Sequence, residues 1–145
     1  FSIDAASPTD RLFILLSRCA LGAFMIQSGF QHFKWDAFVH TLVPSWMPGG
    51  PAWTYITGVA LVVLGLGLLF PRTARLAALA SGAMIFAWVL MVHFPRAVIT
   101  VRDANEATAL FEAIAFSGLA FLLAAQTAAR PVSPRSAASL PQPAS

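Results

Sequence analysis

The chain has 145 residues, length for one domain, of which 58% are apolar and 10% charged, with a formal net charge of +3. Soluble proteins carry roughly 25% charged residues, and a small soluble domain leaves much of its surface in water, so this composition excludes a water-soluble globule. The nine basic residues stand singly between apolar runs, which excludes a nucleic-acid interface, and the single Cys19 excludes an intrachain disulfide or C-x-x-C chemistry.

In chain order, Ser7-Pro8-Thr9-Asp10 has the form of a helix start: a capping serine, a first-turn proline and an acid three residues on. The apolar run 12–30 follows. It is too long for a signal-peptide core, contains Arg18, and ends in Gly-Phe-Gln-His-Phe-Lys rather than a small-residue cleavage site. Three further runs cover 52–70, 76–94 and 107–129. Each has about the 20 residues that cross a hydrocarbon core as a helix. Lipid offers no partner for backbone polar groups, and the runs lack the alternation of a barrel strand. The expected fold is all-α: an integral membrane four-helix bundle forming one transmembrane domain over 1–129.

Between the first two spans, over 31–50, Trp35, Phe38, Val39, Leu42, Val43 and Trp46 recur at helical spacing, as an interfacial segment requires. Trp35, Trp46 and Trp53 then form an aromatic belt in contact with lipid. Pro51 opens the second span after Gly49-Gly50, Pro71 closes it, and Pro95 closes the third. Ala78 with Gly82, Ala109 with Ala113 and Ser117, and Gly65 near Gly67 have small-residue spacing for helix packing. The tail 130–145 is rich in Pro, Ser and Ala, and is expected to be disordered alone and to need a partner chain to order it.

Arg11, Arg72, Arg75, Arg130 and Arg135 fall on one side of the spans, against Lys34, Arg96 and Arg102 on the other. Five against three places both termini in the cytoplasm.

Two ionisable residues, Arg18 and Glu112, lie within spans away from the ends, where charges are costly and mark function. At 1.5 Å per residue they are about 11 Å apart along the bundle axis, and their side chains lean apart. Arg18 is therefore expected to snorkel to lipid phosphates at the cytoplasmic side. Glu112 is expected to meet His93 or Arg96 near the outer interface. That contact reads either as a structural link between the last two helices or as a catalytic pair that relays protons or holds a quinone head-group. His32, Asp36 and His40, spaced i, i+4, i+8, are a candidate metal face or the wet face of an amphipathic helix. All three histidines fall at the outer side. A single axial ligand to haem or a chlorin, from His93 or His32, is left open, and a bis-histidine haem at mid-membrane is not expected. No P-loop, dinucleotide fingerprint, Ser-His-Asp arrangement or Cys/His zinc spacing is present.

Ser28-Gly29-Phe30-Gln31-His32-Phe33-Lys34, Val43-Pro44-Ser45-Trp46-Met47-Pro48-Gly49 and Trp53-Thr54-Tyr55-Ile56-Thr57-Gly58-Val59-Ala60 resemble the DoxX family of small bacterial membrane proteins. Ala74-Arg75-Leu76-Ala77-Ala78 and Val92-His93-Phe94-Pro95-Arg96 are similar to a DoxX-like branch, and the resemblance covers about residues 12–125. It implies a four-helix protein of the bacterial inner membrane and a link to quinone-linked oxidation of sulfur compounds and to redox complexes. One position departs: many DoxX proteins carry a glutamate after the Gly-Val of the second span, where Gly58-Val59-Ala60-Leu61 has none.

Small size, little soluble mass and few polar intramembrane groups point to a non-catalytic accessory subunit of a larger inner-membrane electron-transfer complex, its partners being the bilayer and other membrane subunits. The alternatives are a quinone-linked oxidoreductase subunit acting through Glu112 and His93, and a small transporter.

Overall fold

The computed structural model describes residues 7–100 and 102–127, so the expectations for the tail 130–145 lie outside the described residues. Helix α1 runs Pro8–Lys34, a short α2 Asp36–His40, α3 Ala52–Leu69 and α4 Ala74–Trp88. A single π turn, Val89–His93, carries α4 into α5, Phe94–Ile99, and α6 spans Ala104–Gln126. Taken together, α4, the π turn and α5 form one rod. With α1, α3 and α6 it makes four helices long and apolar enough to cross a membrane. The protein is an all-α, multi-pass membrane four-helix bundle.

Local chemistry sets the helix starts. At α1 the Ser7 hydroxyl accepts from the Asp10 N–H at 3.1 Å, while the Asp10 carboxylate accepts from the Ser7 N–H at 2.9 Å. This reciprocal box satisfies two end donors. At α6 the Asp103 carboxylate accepts from the Asn105 N–H at 2.9 Å.

Pro95 does not close the third helix, as its residue type led one to expect. It has no N–H to donate, and its ring crowds the carbonyl four residues back. The chain answers by widening one turn, with the Phe94 N–H bonding the Val89 carbonyl. Pro95 then sits in the first turn of α5, where the missing donor is harmless, and the rod continues to Ile99.

The helices pack as two close pairs, α1 on α3 and α4 on α6, joined chiefly along α3 and α4, with a slighter contact between α1 and α6. Leu21, Met25, Leu68, Ala78 and Ala120 are among the shared core residues. In lipid, association depends on close packing rather than on the hydrophobic effect. Accordingly, α1 and α3 cross at glycines: a Cβ on Gly22 would lie 2.9 Å from the Gly65 carbonyl oxygen, and one on Gly65 would lie 2.8 Å from that of Gly22. The expected small-residue faces of α4 and α6 also meet, since Ala78, Gly82, Ala113 and Ser117 are buried and the Ser117 hydroxyl donates to the Gly82 carbonyl at 3.0 Å. Large side chains point outward instead: Leu76 is 72% exposed and Phe111 69%. Such a surface suits the apolar interior of a bilayer.

Candidate functional site

Arg18 is the first site residue that the tertiary structure reassigns. It does not snorkel to lipid; it is buried, its Nε donating to the Leu68 carbonyl at 2.9 Å and its Nη2 to the Leu69 carbonyl at 2.8 Å. These carbonyls belong to the last turn of α3, where backbone acceptors lack intrahelical partners and the helix dipole favours a cation. Packing of α1 on α3 brings these acceptors within hydrogen-bond reach of Arg18.

At the opposite end of the bundle lies a cavity of about 250 Å³. His32 enters it from the last turns of α1, Val39, Leu42 and Val43 from the connecting segment, Trp53 and Thr54 from the start of α3, and Trp88 and His93 from the third rod. The walls are mostly apolar with a few polar groups, the usual constitution of a small-molecule site. The π turn ends on His93, and such turns recur at functional sites because they re-aim side chains.

Several polar groups here have definable contacts. The His32 Nδ1 lies 2.8 Å from the Ser28 carbonyl. A carbonyl only accepts, so the proton of this bond is on Nδ1. Thr54 is 1% exposed, yet its hydroxyl has no hydrogen-bond partner among the described residues. A buried unpaired hydroxyl costs about 1–3 kcal/mol. The indoles of Trp53 and Trp88 meet edge to face at 6.0 Å, and the Trp53 Nε1 donates to the Pro48 carbonyl at 2.7 Å. That bond reaches back across a turn in which Gly49 takes φ 93°, a conformation open to glycine.

The connecting segment is not one interfacial helix. It consists of α2 followed by successive hydrogen-bonded turns. Its apolar side is shared: Val39, Leu42 and Val43 turn to the cavity and Met47 is buried, while Trp35, Phe38 and Trp46 stay exposed. Trp53 belongs to the cavity wall rather than to an outward belt.

His32, Asp36 and His40 do not form a metal face, because α1 ends at Lys34 and Trp35 breaks the register with φ −116° and ψ 33°. Among the described residues no group of three His, Cys, Asp or Glu side chains could hold a metal. Asp36 is instead a tether, its carboxylate accepting from the Tyr55 hydroxyl at 2.8 Å and from the Ala37 N–H at 2.7 Å. The Tyr55 hydroxyl, and then the Ala37 N–H, hold its carboxyl below the usual carboxylate range. His40 packs edge-on against Tyr55 at 5.5 Å, with its Nε2 buried and unpaired among the described residues.

The expected contact of Glu112 with His93 or Arg96 is not formed. Arg96 pairs with Glu106, its Nε donating to both carboxylate oxygens at 3.0 Å and its Nη2 joining one of them. Glu106 lies in the first turn of α6, directly across the loop from α5. Six residues further on, Glu112 is rotated by about 240° around the helix. It is exposed and has no hydrogen bond or ion pair among the described residues.

Two candidates, His32 and His93, are thus brought to one cavity, whereas Arg18, Asp36, His40 and Glu112 are dispersed to other partners or faces. Thr54 and Trp88 are cavity residues that sequence reasoning missed. A small hydroxyl residue beside Trp53 at a span entrance was the available signal for the first, and nothing marked the second.

No curated protein and no solved structure matches the chain. Residues 21–124 match the family described as Domain of unknown function (DUF8561), and the chain belongs to that family.

Proposed function

We propose that this protein is a quinone-binding, non-catalytic accessory subunit of a larger electron-transfer complex in the bacterial inner membrane, with both termini cytoplasmic and the cavity at the outer interface. One observation carries the reading: His32 and His93, from separate helices, line a single apolar cavity together with the buried Thr54, whose hydroxyl is unpaired among the described residues. A quinone ring carries carbonyls that accept from such a donor, and its apolar tail would leave into the lipid. The volume suits one substituted ring better than a haem or chlorin macrocycle. The resemblance to the DoxX family supports the same assignment. A catalytic pairing of Glu112 with His93 receives no support, since Glu112 faces away from Arg96 and is not among the cavity residues.

The test is gentle purification from native membranes, with quinone content measured by solvent extraction and partner subunits by mass spectrometry. Quenching of Trp53 and Trp88 fluorescence by a short-chain quinone in proteoliposomes then reads binding directly. Thr54→Val and His93→Leu are expected to weaken binding about tenfold each, the loss of roughly 1.4 kcal/mol. Absence of quinone from the extract together with absence of quenching overturns the ligand. A protein that purifies without stoichiometric partners overturns the accessory role.

A further inference from the structure

We propose that two copies of this chain pair through the lipid-facing side of α1 and α6, with Glu112 at the centre of the contact. The eight residues from Ala104 put Glu112 about 12 Å inside the start of α6, with an exposed side chain and no partner among the described residues. A carboxyl group facing acyl chains at that depth is expensive, and such groups are ordinarily paired.

The surroundings name the partner. Helices α1 and α6 meet at the Phe24–Phe116 stack, with ring centroids 4.0 Å apart, and touch little elsewhere. They run antiparallel, so residues after Phe24 are level with residues before Phe116. Gln27 and Gln31, both exposed, lie about 4.5 and 10 Å beyond Phe24, and Glu112 about 6 Å beyond Phe116 in the same direction. The acceptor therefore sits at a level between two amide donors, on one open side of the bundle.

A surface with donors and an acceptor side by side is self-complementary. Under a two-fold axis the Glu112 carboxyl of each copy meets the amides of the other, and every contact occurs twice. Exposed Ala20 and Ala115 lie next to these groups and let helices approach closely.

The test uses the full chain in proteoliposomes at high lipid dilution. Single-molecule photobleaching is expected to show two steps. In a Cys19→Ser background, Ala115→Cys is expected to form oxidised dimers several-fold faster than Val63→Cys. Val63 is also exposed, and each position lies eleven residues from its own helix start, on α6 and α3 respectively. Glu112→Leu is expected to lower the dimer fraction at least tenfold, and Glu112→Gln, which keeps the hydrogen bond, to preserve it. Single-step bleaching, equal crosslinking at the two positions, or a dimer indifferent to Glu112→Leu overturns the proposal. So does a different protein captured stoichiometrically through Ala115→Cys in native membranes. None of these readouts depends on quinone binding.

Discussion

Arg18 of α1 donates from Nε to the Leu68 carbonyl oxygen of α3 at 2.9 Å, across fifty residues of sequence. With the second bond to Leu69, this side chain closes the end of α3 and ties it to α1. A charged residue inside a span here serves helix termination, because the last carbonyls of a helix are the strongest acceptors within reach of a buried cation.

Arg18→Met is therefore expected to lower stability by about 2–3 kcal/mol, since it removes charge-assisted bonds and leaves carbonyls unpaired. Arg18→Lys, with a point charge in place of a fork, should fall between. Unfolding measured by steric trapping in bicelles checks both, and a Met variant as stable as wild type would mean that Arg18 does not cap α3.

The crossing of α1 and α3 makes a contrasting pair of glycine predictions. Gly65→Leu places a side chain where even a Cβ would be 2.8 Å from the Gly22 carbonyl oxygen, so the helices must separate. The expected loss is about 1–3 kcal/mol. Gly118→Ala meets nothing within 4 Å and should be neutral or stabilising by up to about 1 kcal/mol through helix propensity. Thermal melts of the two variants in one detergent decide the matter; equal melting temperatures would contradict the close approach.

Arg96 and Glu106 join α5 to α6, with side chains 35% and 16% exposed. At that exposure a double-mutant cycle with Arg96→Gln and Glu106→Gln is expected to return a coupling on the order of 1 kcal/mol. The same cycle with Glu112→Gln in place of Glu106→Gln should return none. A coupling carried by Glu112 would reverse the assignment.

Asp36 predicts a pH effect of definite sign. The Tyr55 hydroxyl and the Ala37 N–H favour its charged form, so its folded pKa lies below the unfolded value. The tether's contribution is then whole above the ordinary carboxylate range and is lost as pH falls through the folded pKa. Tyr55→Phe removes the larger cause and should raise the Asp36 pKa toward its ordinary value, as followed by carboxyl-carbon NMR titration. An unchanged titration would show that the hydroxyl does not bond Asp36 in the membrane.

The features legible in the sequence were local or solvent-driven. Runs of about 20 apolar residues have one stable form in lipid, a helix, and the Ser7–Asp10 box closes within a single turn. Pro95 announced a break in the α-helical ladder, although the sequence could not say whether the chain would end there or widen by one π turn.

The candidate site depended on relations between helices, which periodicity along one strand of sequence does not encode. His32 and His93 each stood out as chemistry-bearing residues near a span end. Only the packing of α1, α3 and the third rod puts them on one cavity with Thr54 and Trp88. Arg18 and Glu112 were legible as costly charges, but their partners were misread. Depth along the membrane follows from counting residues, whereas the facing neighbour depends on the rotation of each helix about its own axis. That rotation is set by which small residues, such as Gly22 and Gly65, let two backbones meet.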